Sequence, residues 1–111
     1  MSCIFCKIAE GTIPAKVLHE DDRCVAFADL SPQAPFHALV IPREHIAGLG
    51  DAGPAHEALL GHLALVGSRL AREAGHAAWR INVNTGAQAG QSVFHLHLHV
   101  LAGRSFAWPP G

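Results

Sequence analysis

Apolar and polar positions alternate in five short runs along the chain, a pattern typical of half-buried β-strands. The runs occupy residues 16–19, 23–28, 37–41, 79–84 and 93–101. Turn-forming residues separate them, and an acidic turn between the first two runs predicts a hairpin there. Because the predicted connections between strands are short, we expect a mainly antiparallel sheet of about five strands.

Helical periodicity replaces this alternation in two places. A short helix is predicted over residues 3–9 and a long helix over residues 51–73. Asp51 can cap the long helix and Gly75 can end it. One face of the long helix carries apolar residues at helical spacing, namely Leu59, Leu63, Val66 and Leu70.

Two glycines interrupt the predicted long helix. Gly61 and Gly67 each weaken it by about 1 kcal/mol relative to alanine, so we expect close packing against a partner surface to be their reason. No repeat or low-complexity linker divides the chain, so residues 1–111 are expected to form one domain. The predicted fold class is α+β, with a mainly antiparallel sheet, one long helix and one short helix.

Composition excludes several functional classes. Of the 111 residues, 50% are hydrophobic and 15% are charged, which provides enough apolar material for a core. A formal charge of −1 offers no basic surface for nucleic acid. No apolar run approaches the roughly 20 residues of a membrane span, and residues 1–7 lack the cationic and apolar regions of a secretory signal. We therefore expect a soluble, cytoplasmic protein without nucleic-acid or membrane partners.

The chain contains nine histidines, and three of them alternate with leucines over residues 95–99. Side chains two positions apart on a strand share one face, so His95, His97 and His99 are expected together, with the leucines in the core. Three interpretations are open. The stripe is the solvated face of an edge strand, a three-histidine metal site, or a group in which one neutral imidazole attacks an electrophile while its neighbours stabilise the developing charge.

The loop before this stripe favours the nucleophile interpretation. Residues 84–92 are polar and include Gly86 and Gly90. Their backbone N–H groups, with the Ser92 hydroxyl and the Gln91 amide, can form a small anion nest. A nucleophile beside an anion site predicts phosphoryl or nucleotidyl transfer.

Residues 95–101, His-Leu-His-Leu-His-Val-Leu, resemble the signature of the histidine triad (HIT) family. Further segments resemble the Hint branch of nucleoside phosphoramidases, namely residues 4–8, 20–24, 29–35, 39–42, 90–94 and 108–111. Matching segments span residues 3–111, and only residues 47–75 match loosely. The resemblance implies an α+β homodimer with one continuous sheet and, in each subunit, a purine nucleotide pocket for an AMP or GMP moiety.

The resemblance also implies catalytic roles. His97 would be the nucleophile that attacks the α-phosphorus of an adenosine or guanosine 5′-phosphoramidate, forming a nucleotidyl-histidine that water then hydrolyses. His99 would contact the phosphate together with the loop residues Gly90, Gln91 and Ser92. His95 and His37 would hold tautomers and pass a proton toward the leaving amine, because an amine leaves poorly unless it is protonated.

Nucleoside contacts are implied in the same way. Asp29 would bind the ribose hydroxyls and Asn84 would support the ribose-phosphate side. The base would lie among six apolar side chains, although any one such side chain is more often plain core than ligand wall: Ile4, Phe5, Ile8, Phe27, Leu30 and Leu39. Trp108 belongs to a tail that the family places at the dimer interface beside the active site, which makes it a candidate for leaving-group selection.

Cys3 and Cys6 form a C-x-x-C pair, which without a secretion signal favours metal or redox chemistry over a disulfide framework. A closed tetrahedral zinc site needs two further ligands, and His45 and His95 are the candidates. The set resembles zinc-bearing histidine triad proteins, so we predict a structural Zn²⁺ and no catalytic cofactor. A His95 that binds zinc cannot also shuttle protons, so we keep the zinc and assign the relay to His37.

Two other functions remain open: a dinucleoside polyphosphate hydrolase of the same fold, and a non-catalytic nucleotide-binding or scaffold protein. Loss of His97 would separate an enzyme from the non-catalytic protein. A binding module tolerates this loss, whereas an enzyme loses turnover and still binds nucleotide.

Cys24 is expected to pack in the core. The remaining histidines belong to no motif and are expected on the solvated surface, namely His19, His56, His62 and His76.

Overall fold

Five short strands form one antiparallel sheet in the computed structural model, which describes residues 3–111. The strands are β1 (Val17–Glu20), β2 (Cys24–Ala28), β3 (Phe36–Pro42), β4 (Trp79–Asn82) and β5 (Leu98–Ala102). They lie in the order β1-β2-β3-β5-β4, so β3 is the central strand. The helices are α1 (Ile4–Glu10) and α2 (Glu57–Glu73). The predicted α+β class, with one long and one short helix, is confirmed.

Alternation along the central strand divides the core into two layers. Ala38 and Val40 belong to the apolar cluster beneath α2, whereas Leu39 and Ile41 belong to the cluster beneath α1. All four side chains are buried, because each face of β3 is covered by a helix. The layer beneath α1 is the smaller one, and the candidate site lies at its edge.

The pairing of β3 with β5 brings two predicted site residues together. Leu39 pairs with His99 and His37 pairs with Leu101, so His37 and His99 are diagonal neighbours on the face that α1 covers. Diagonal neighbours in an antiparallel ladder are within reach of ring side chains. The sheet register therefore determines which two imidazoles meet.

The predicted last strand starts too early, which is the main error in the predicted elements. It was expected over residues 93–101, but β5 begins only at Leu98. Before it, the Leu96 N–H donates to the carbonyl of Ile46 at 2.6 Å, so this segment bonds to the chain that follows β3. The alternation of burial still continues through Leu96, which lies beneath α2 with Leu98. His95 and His97 thus precede the strand, and only His99 lies on it.

The long helix also begins later than predicted. It starts at Glu57 instead of Asp51, and residues 49–51 and 54–56 form two separate 3₁₀ turns. Ala52 and Gly53 are extended between those turns, which prevents a continuous helix. No helix among the described residues combines the length and hydropathy needed to cross a membrane.

The two glycines of α2 have different surroundings. A Cβ added at Gly67 would lie 2.7 Å from Cγ2 of Val100, whereas a Cβ added at Gly61 would meet nothing within 4 Å. The expected close packing is therefore confirmed for Gly67 and wrong for Gly61. Only Gly67 allows α2 to approach β5 closely enough to cover the core.

We expect opposite effects from alanine at these two positions. Gly61→Ala should stabilise the protein by about 1 kcal/mol through helix propensity, whereas Gly67→Ala should destabilise it by about 1–3 kcal/mol through overpacking against Val100. Urea unfolding of both variants measures the difference. A Gly67→Ala protein as stable as the Gly61→Ala protein would contradict the close packing of α2 on β5.

Candidate active site and metal cluster

A cavity of about 310 Å³ opens at the edge of the α1 layer. Its apolar wall comes from α1, β2 and β3, with Leu30 beyond the end of β2. Its polar groups come from the loop after β4, from the segment entering β5, and from Asp29 after β2. The lining residues are Ile4, Phe5, Ile8, Phe27, Asp29, Leu30, Leu39, Asn84, Gly90, Ser92, Val93, His97 and His99.

The structure brings together most of the residues predicted to bind substrate, with three differences. Gln91 is buried and does not line the cavity; its amide accepts from the Gly86 N–H and donates to the carbonyls of Ala47 and Val93. It therefore holds the loop in shape. Trp108 is 85% exposed and lies outside the lining. Val93 lines the cavity but was missed, although it directly follows the polar loop that pointed to an anion site.

His97 has one nitrogen committed to the protein. Nδ1 lies 2.7 Å from the carbonyl oxygen of His95, and a carbonyl only accepts hydrogen bonds, so Nδ1 carries the proton. In a neutral ring Nε2 then has a free lone pair. The ring is buried to 7% exposure, edge-on against Phe5 at 5.1 Å and against His99 at 5.1 Å between ring centroids. The arrangement provides a fixed imidazole with an unprotonated nitrogen.

A hydrogen-bond chain fixes the tautomers of His37 and His99. The Gln33 N–H donates to Nδ1 of His37 at 3.0 Å, so His37 carries its proton on Nε2. That Nε2–H donates to Nδ1 of His99 at 2.9 Å, which places the His99 proton on Nε2. Asp29 adds a carboxylate oxygen 3.4 Å from His37 Nε2. When both rings are neutral, the Nε2–H of His37 is bonded to His99. The Nε2–H of His99 is therefore the donor that the pair leaves for a substrate.

Burial keeps these rings uncharged. It lowers the pKa of His37, against the smaller opposing pull of Asp29. Burial, with the neighbouring His97 and His37 rings, lowers the pKa of His99 to about 4. Neutral imidazoles accept and donate hydrogen bonds at once, which protonated rings cannot do. The His37–His99 pair is thus organised for proton transfer near neutral pH.

The His95 imidazole points to a different group of side chains. It is fully buried, and its Nε2–H donates to the Pro42 carbonyl at 2.8 Å. Its Nδ1 lies 3.4 Å from Cys3 Sγ and 3.5 Å from Cys6 Sγ. The ring does not line the cavity. The expected common face is confirmed, since the Phe5 ring of α1 contacts both His95 and His97. Only His97 and His99 line the cavity, however, whereas His95 lies with the cysteines, as its prediction as a metal ligand requires.

Cys3, Cys6, His45 and His95 have their ligand atoms within 4.8 Å of one another, and we call them the Cys/His cluster. The two Nδ1 atoms are 3.2 Å apart, and Cys6 Sγ is 3.3 Å from His45 Nδ1. Tetrahedral zinc requires about 3.3 Å between two nitrogens and about 3.6 Å between nitrogen and sulfur. The Pro42 carbonyl also supplies the acceptor that metal-bound histidines usually have behind them. The cluster therefore fits a closed tetrahedral zinc site.

The four histidines expected on the solvated surface are all half-buried and have partners. His56 accepts from the Gly53 N–H and pairs with Glu44, and His76 packs against Phe36.

His19 and His62 both donate from Nε2 to Oδ2 of Asp21, at 2.8 and 2.7 Å, which joins the first hairpin to α2. Hydrogen bonds from the two imidazoles and from backbone N–H groups hold the pKa of Asp21 far below its usual range despite burial. Cys24 packs in the core as predicted, and burial raises the pKa of its thiol to about 12.

Comparison with known proteins identifies the family. Residues 2–107 match the family described as scavenger mRNA decapping enzyme C-term binding. An uncharacterized HIT-like protein of Synechococcus elongatus is 52% identical over 109 residues, which cover 97% of this chain and 96% of that protein. The chain belongs to the histidine triad family.

Solved structures share the fold of this histidine triad protein. A HIT family hydrolase from Legionella pneumophila matches with a TM-score of 0.96 at 44% identity, covering 99% of this chain and all of that one. A Zn-bound histidine triad family protein from Mycobacterium smegmatis matches with a TM-score of 0.83 at 35% identity, covering this whole chain and 81% of that one. The histidine triad at residues 95–99 therefore lies in the same fold as in these two solved members of the family.

The half-buried triad histidine His99 predicts a loss of stability in mild acid. The unfolded chain protonates this residue near pH 6.5, whereas the folded state does so only near pH 4. As the pH falls through this window the unfolded state takes up the proton first, so stability declines by up to about 3 kcal/mol and then levels off. Urea unfolding at several pH values measures this. His99→Asn, which keeps an acceptor for His37, should flatten the slope; an unchanged slope would contradict the assignment.

Proposed function

We propose that this protein is a nucleotidyl hydrolase that cleaves the P–N bond of purine nucleoside 5′-phosphoramidates, as in the Hint branch of its family. The observation that carries the proposal is the hydrogen bond from His97 Nδ1 to the His95 carbonyl, which leaves Nε2 unprotonated at a nucleotide-sized cavity. The HIT family hydrolase from Legionella pneumophila supports a hydrolytic reaction for this fold.

The substrate would be held at both ends of this cavity. Ser92, with the backbone around Gly90, would hold the phosphate, and Gln91 supports them from behind. Asp29 would bind the ribose hydroxyls and Asn84 the ribose-phosphate side. The base would lie in the apolar wall made by Ile4, Phe5, Ile8, Phe27, Leu30 and Leu39. Apolar walls with a few converging polar groups are typical of ligand sites.

In the first step the Nε2 lone pair of His97 attacks the α-phosphorus, the Nε2–P bond forms and the P–N bond of the substrate breaks. The ring gains a positive charge, which the hydrogen bond from Nδ1 to the His95 carbonyl stabilises. The leaving nitrogen must take a proton. The free pair is neutral, so the substrate complex would have to take up one proton, which the anionic phosphate beside His99 favours. That proton would pass from His99 to the amine.

In the second step water attacks the phosphorus of the nucleotidyl-histidine. The Nε2–P bond breaks, its electron pair returns to His97, and the proton from water restores the charged His37–His99 pair. The sum of both steps is phosphoramidate plus water giving free amine plus AMP or GMP. The relay therefore involves His37 and His99, and the His95 imidazole has no part in it.

We further propose that the Cys/His cluster binds one structural Zn²⁺. A bound zinc would cross-link α1 to the chain after β3 and to the segment before β5. The relative from Mycobacterium smegmatis that is Zn-bound supports this assignment. From the family resemblance we also propose a homodimer and a role for Trp108 in leaving-group selection, at the dimer interface beside the active site.

The nucleophile is tested by His97→Ala with adenosine 5′-phosphoramidate as substrate. Turnover should fall by at least about 1,000-fold, because the covalent step is lost, while AMP binding measured by calorimetry should persist. Release of AMP followed by chromatography gives the rate. Full activity in the variant would contradict the nucleophile, and AMP binding without turnover in the native protein would favour a nucleotide-binding module. Faster cleavage of a dinucleoside polyphosphate would favour that alternative.

The metal is tested by zinc content and competition with a chelator. The native protein should hold one zinc per chain. His45→Ala should weaken zinc binding by more than the roughly 10- to 100-fold that is typical when a residue hydrogen-bonded to a ligand, and not the ligand itself, is mutated. His56→Ala is the matched control, since His56 pairs with Glu44 and lies outside the cluster. Equal zinc affinity in the two variants would remove His45 from the ligand set.

A further inference from the structure

We propose that the Cys/His cluster positions the nucleophile, so that zinc binding and nucleotide binding strengthen each other. This inference rests on the proposed function, because it assumes that the cavity takes a nucleotide. It assigns to His45 and Phe5 a positioning role in the reaction that the family motif does not contain. Two independent contacts connect the cluster to His97.

The first connection is the main chain of His95. Its carbonyl oxygen receives the Nδ1–H of His97 at 2.7 Å, so the orientation of the nucleophile depends on where this one carbonyl lies. His95 precedes β5, and no strand ladder holds it. Instead its imidazole is held between the Pro42 carbonyl and the other members of the cluster. The peptide that the nucleophile needs is therefore held at two points, by the backbone bond from Leu96 N–H to the Ile46 carbonyl and by the His95 side chain.

The second connection is the Phe5 ring, which lies in sequence between the two cysteines. Its centroid is 6.0 Å from the His95 ring and 5.1 Å from the His97 ring, and it lines the cavity. Helix α1, which carries Phe5, has only seven residues. Helices this short are unstable alone, so the position of α1 depends on its attachments. Its N-terminal attachment is the cluster itself, through Cys3 and Cys6.

We expect zinc and nucleotide binding to be coupled through the positions of His95 and α1, and not through the electric field of the ion. Two thiolates cancel the charge of a divalent zinc ion, which leaves little net field at the cavity. Without the ion, the lone pair of His95 Nδ1 accepts only from His45 Nδ1–H at 3.2 Å or from a cysteine thiol at 3.4 or 3.5 Å, because its own proton is on Nε2. A bound cation would instead hold all four ligand atoms at once. We therefore expect the metal-free protein to hold His95 and α1 less tightly.

Thermodynamic linkage makes this inference measurable from either side. If zinc tightens AMP binding by some factor, AMP tightens zinc binding by the same factor. Calorimetry with AMP on zinc-loaded and zinc-free protein gives one factor, and chelator competition with and without saturating AMP gives the other. We expect both to be equal and at least about 5-fold, the lower end of ordinary coupling between sites. Identical affinities in all arms would overturn the inference, as would a protein that binds no zinc.

A second readout needs no nucleotide. In zinc-loaded protein with ¹⁵N-labelled histidine, the His97 Nδ1–H should exchange slowly with solvent, and zinc removal should speed the exchange at least about 10-fold. Unchanged exchange would overturn the inference. If the loaded protein fails to bind AMP but this exchange responds to zinc, the proposed function fails while the link from cluster to nucleophile stands.

Matched variants separate positioning from general destabilisation. His45→Ala should reproduce the zinc-free behaviour in both AMP affinity and His97 exchange, whereas His56→Ala should not. Phe5→Leu keeps all four cluster residues and should bind zinc normally. It removes the aromatic ring that contacts the imidazoles of His95 and His97. Its coupling factor should move toward 1. Circular dichroism of each variant shows whether it folds, and a coupling factor unchanged in Phe5→Leu would remove the second connection.

Discussion

The hydrogen bond from His97 Nδ1–H to the His95 carbonyl is the interaction on which the site depends. It decides which nitrogen of His97 carries the proton, and therefore which nitrogen is a nucleophile. Its acceptor is a backbone atom, so any sequence change that moves the peptide at 95 moves the reactive centre. The fold places that peptide where sheet pairing has not yet begun, and the bond from Leu96 N–H to Ile46 anchors it.

Burying several imidazoles beneath α1 has a physical cost that the structure offsets locally. Each imidazole in the site has at least one ring nitrogen with a defined partner, which is a backbone carbonyl, a backbone N–H, another imidazole or the cluster. Among residues 3–111, no buried side-chain nitrogen or oxygen lacks a hydrogen-bond partner. Because the rings are satisfied while neutral, burial lowers the pKa of His37 and His99 without leaving an unpaired group.

Helix α1 serves two sites at once. Its apolar residues form a wall of the cavity, and its first turn supplies the cysteines of the cluster. A helix of seven residues has little intrinsic stability, so the cluster and the apolar contacts of Phe5 must hold it. The large layer beneath α2 contains no predicted site residue, since it consists of aliphatic and aromatic packing that includes Leu96 and Val100. Structural stability and chemistry thus lie on opposite faces of one sheet.

Local patterns in the sequence determined the fold class, the hairpin, the alternation that buries Leu96 and Leu98, and the C-x-x-C pair. These depend on periodicity and spacing, which act over a few residues. Only tertiary structure decided where β5 begins, because that depends on contacts with the chain after β3, some 50 residues away. The C-x-x-C pair had already made His95 a candidate ligand beside the cysteines. The pairing of His37 with His99 likewise comes from the sheet register. Gln91 is drawn away from the cavity in part by its bond to the distant Ala47 carbonyl. Long-range contacts set these features, and no local pattern encodes them.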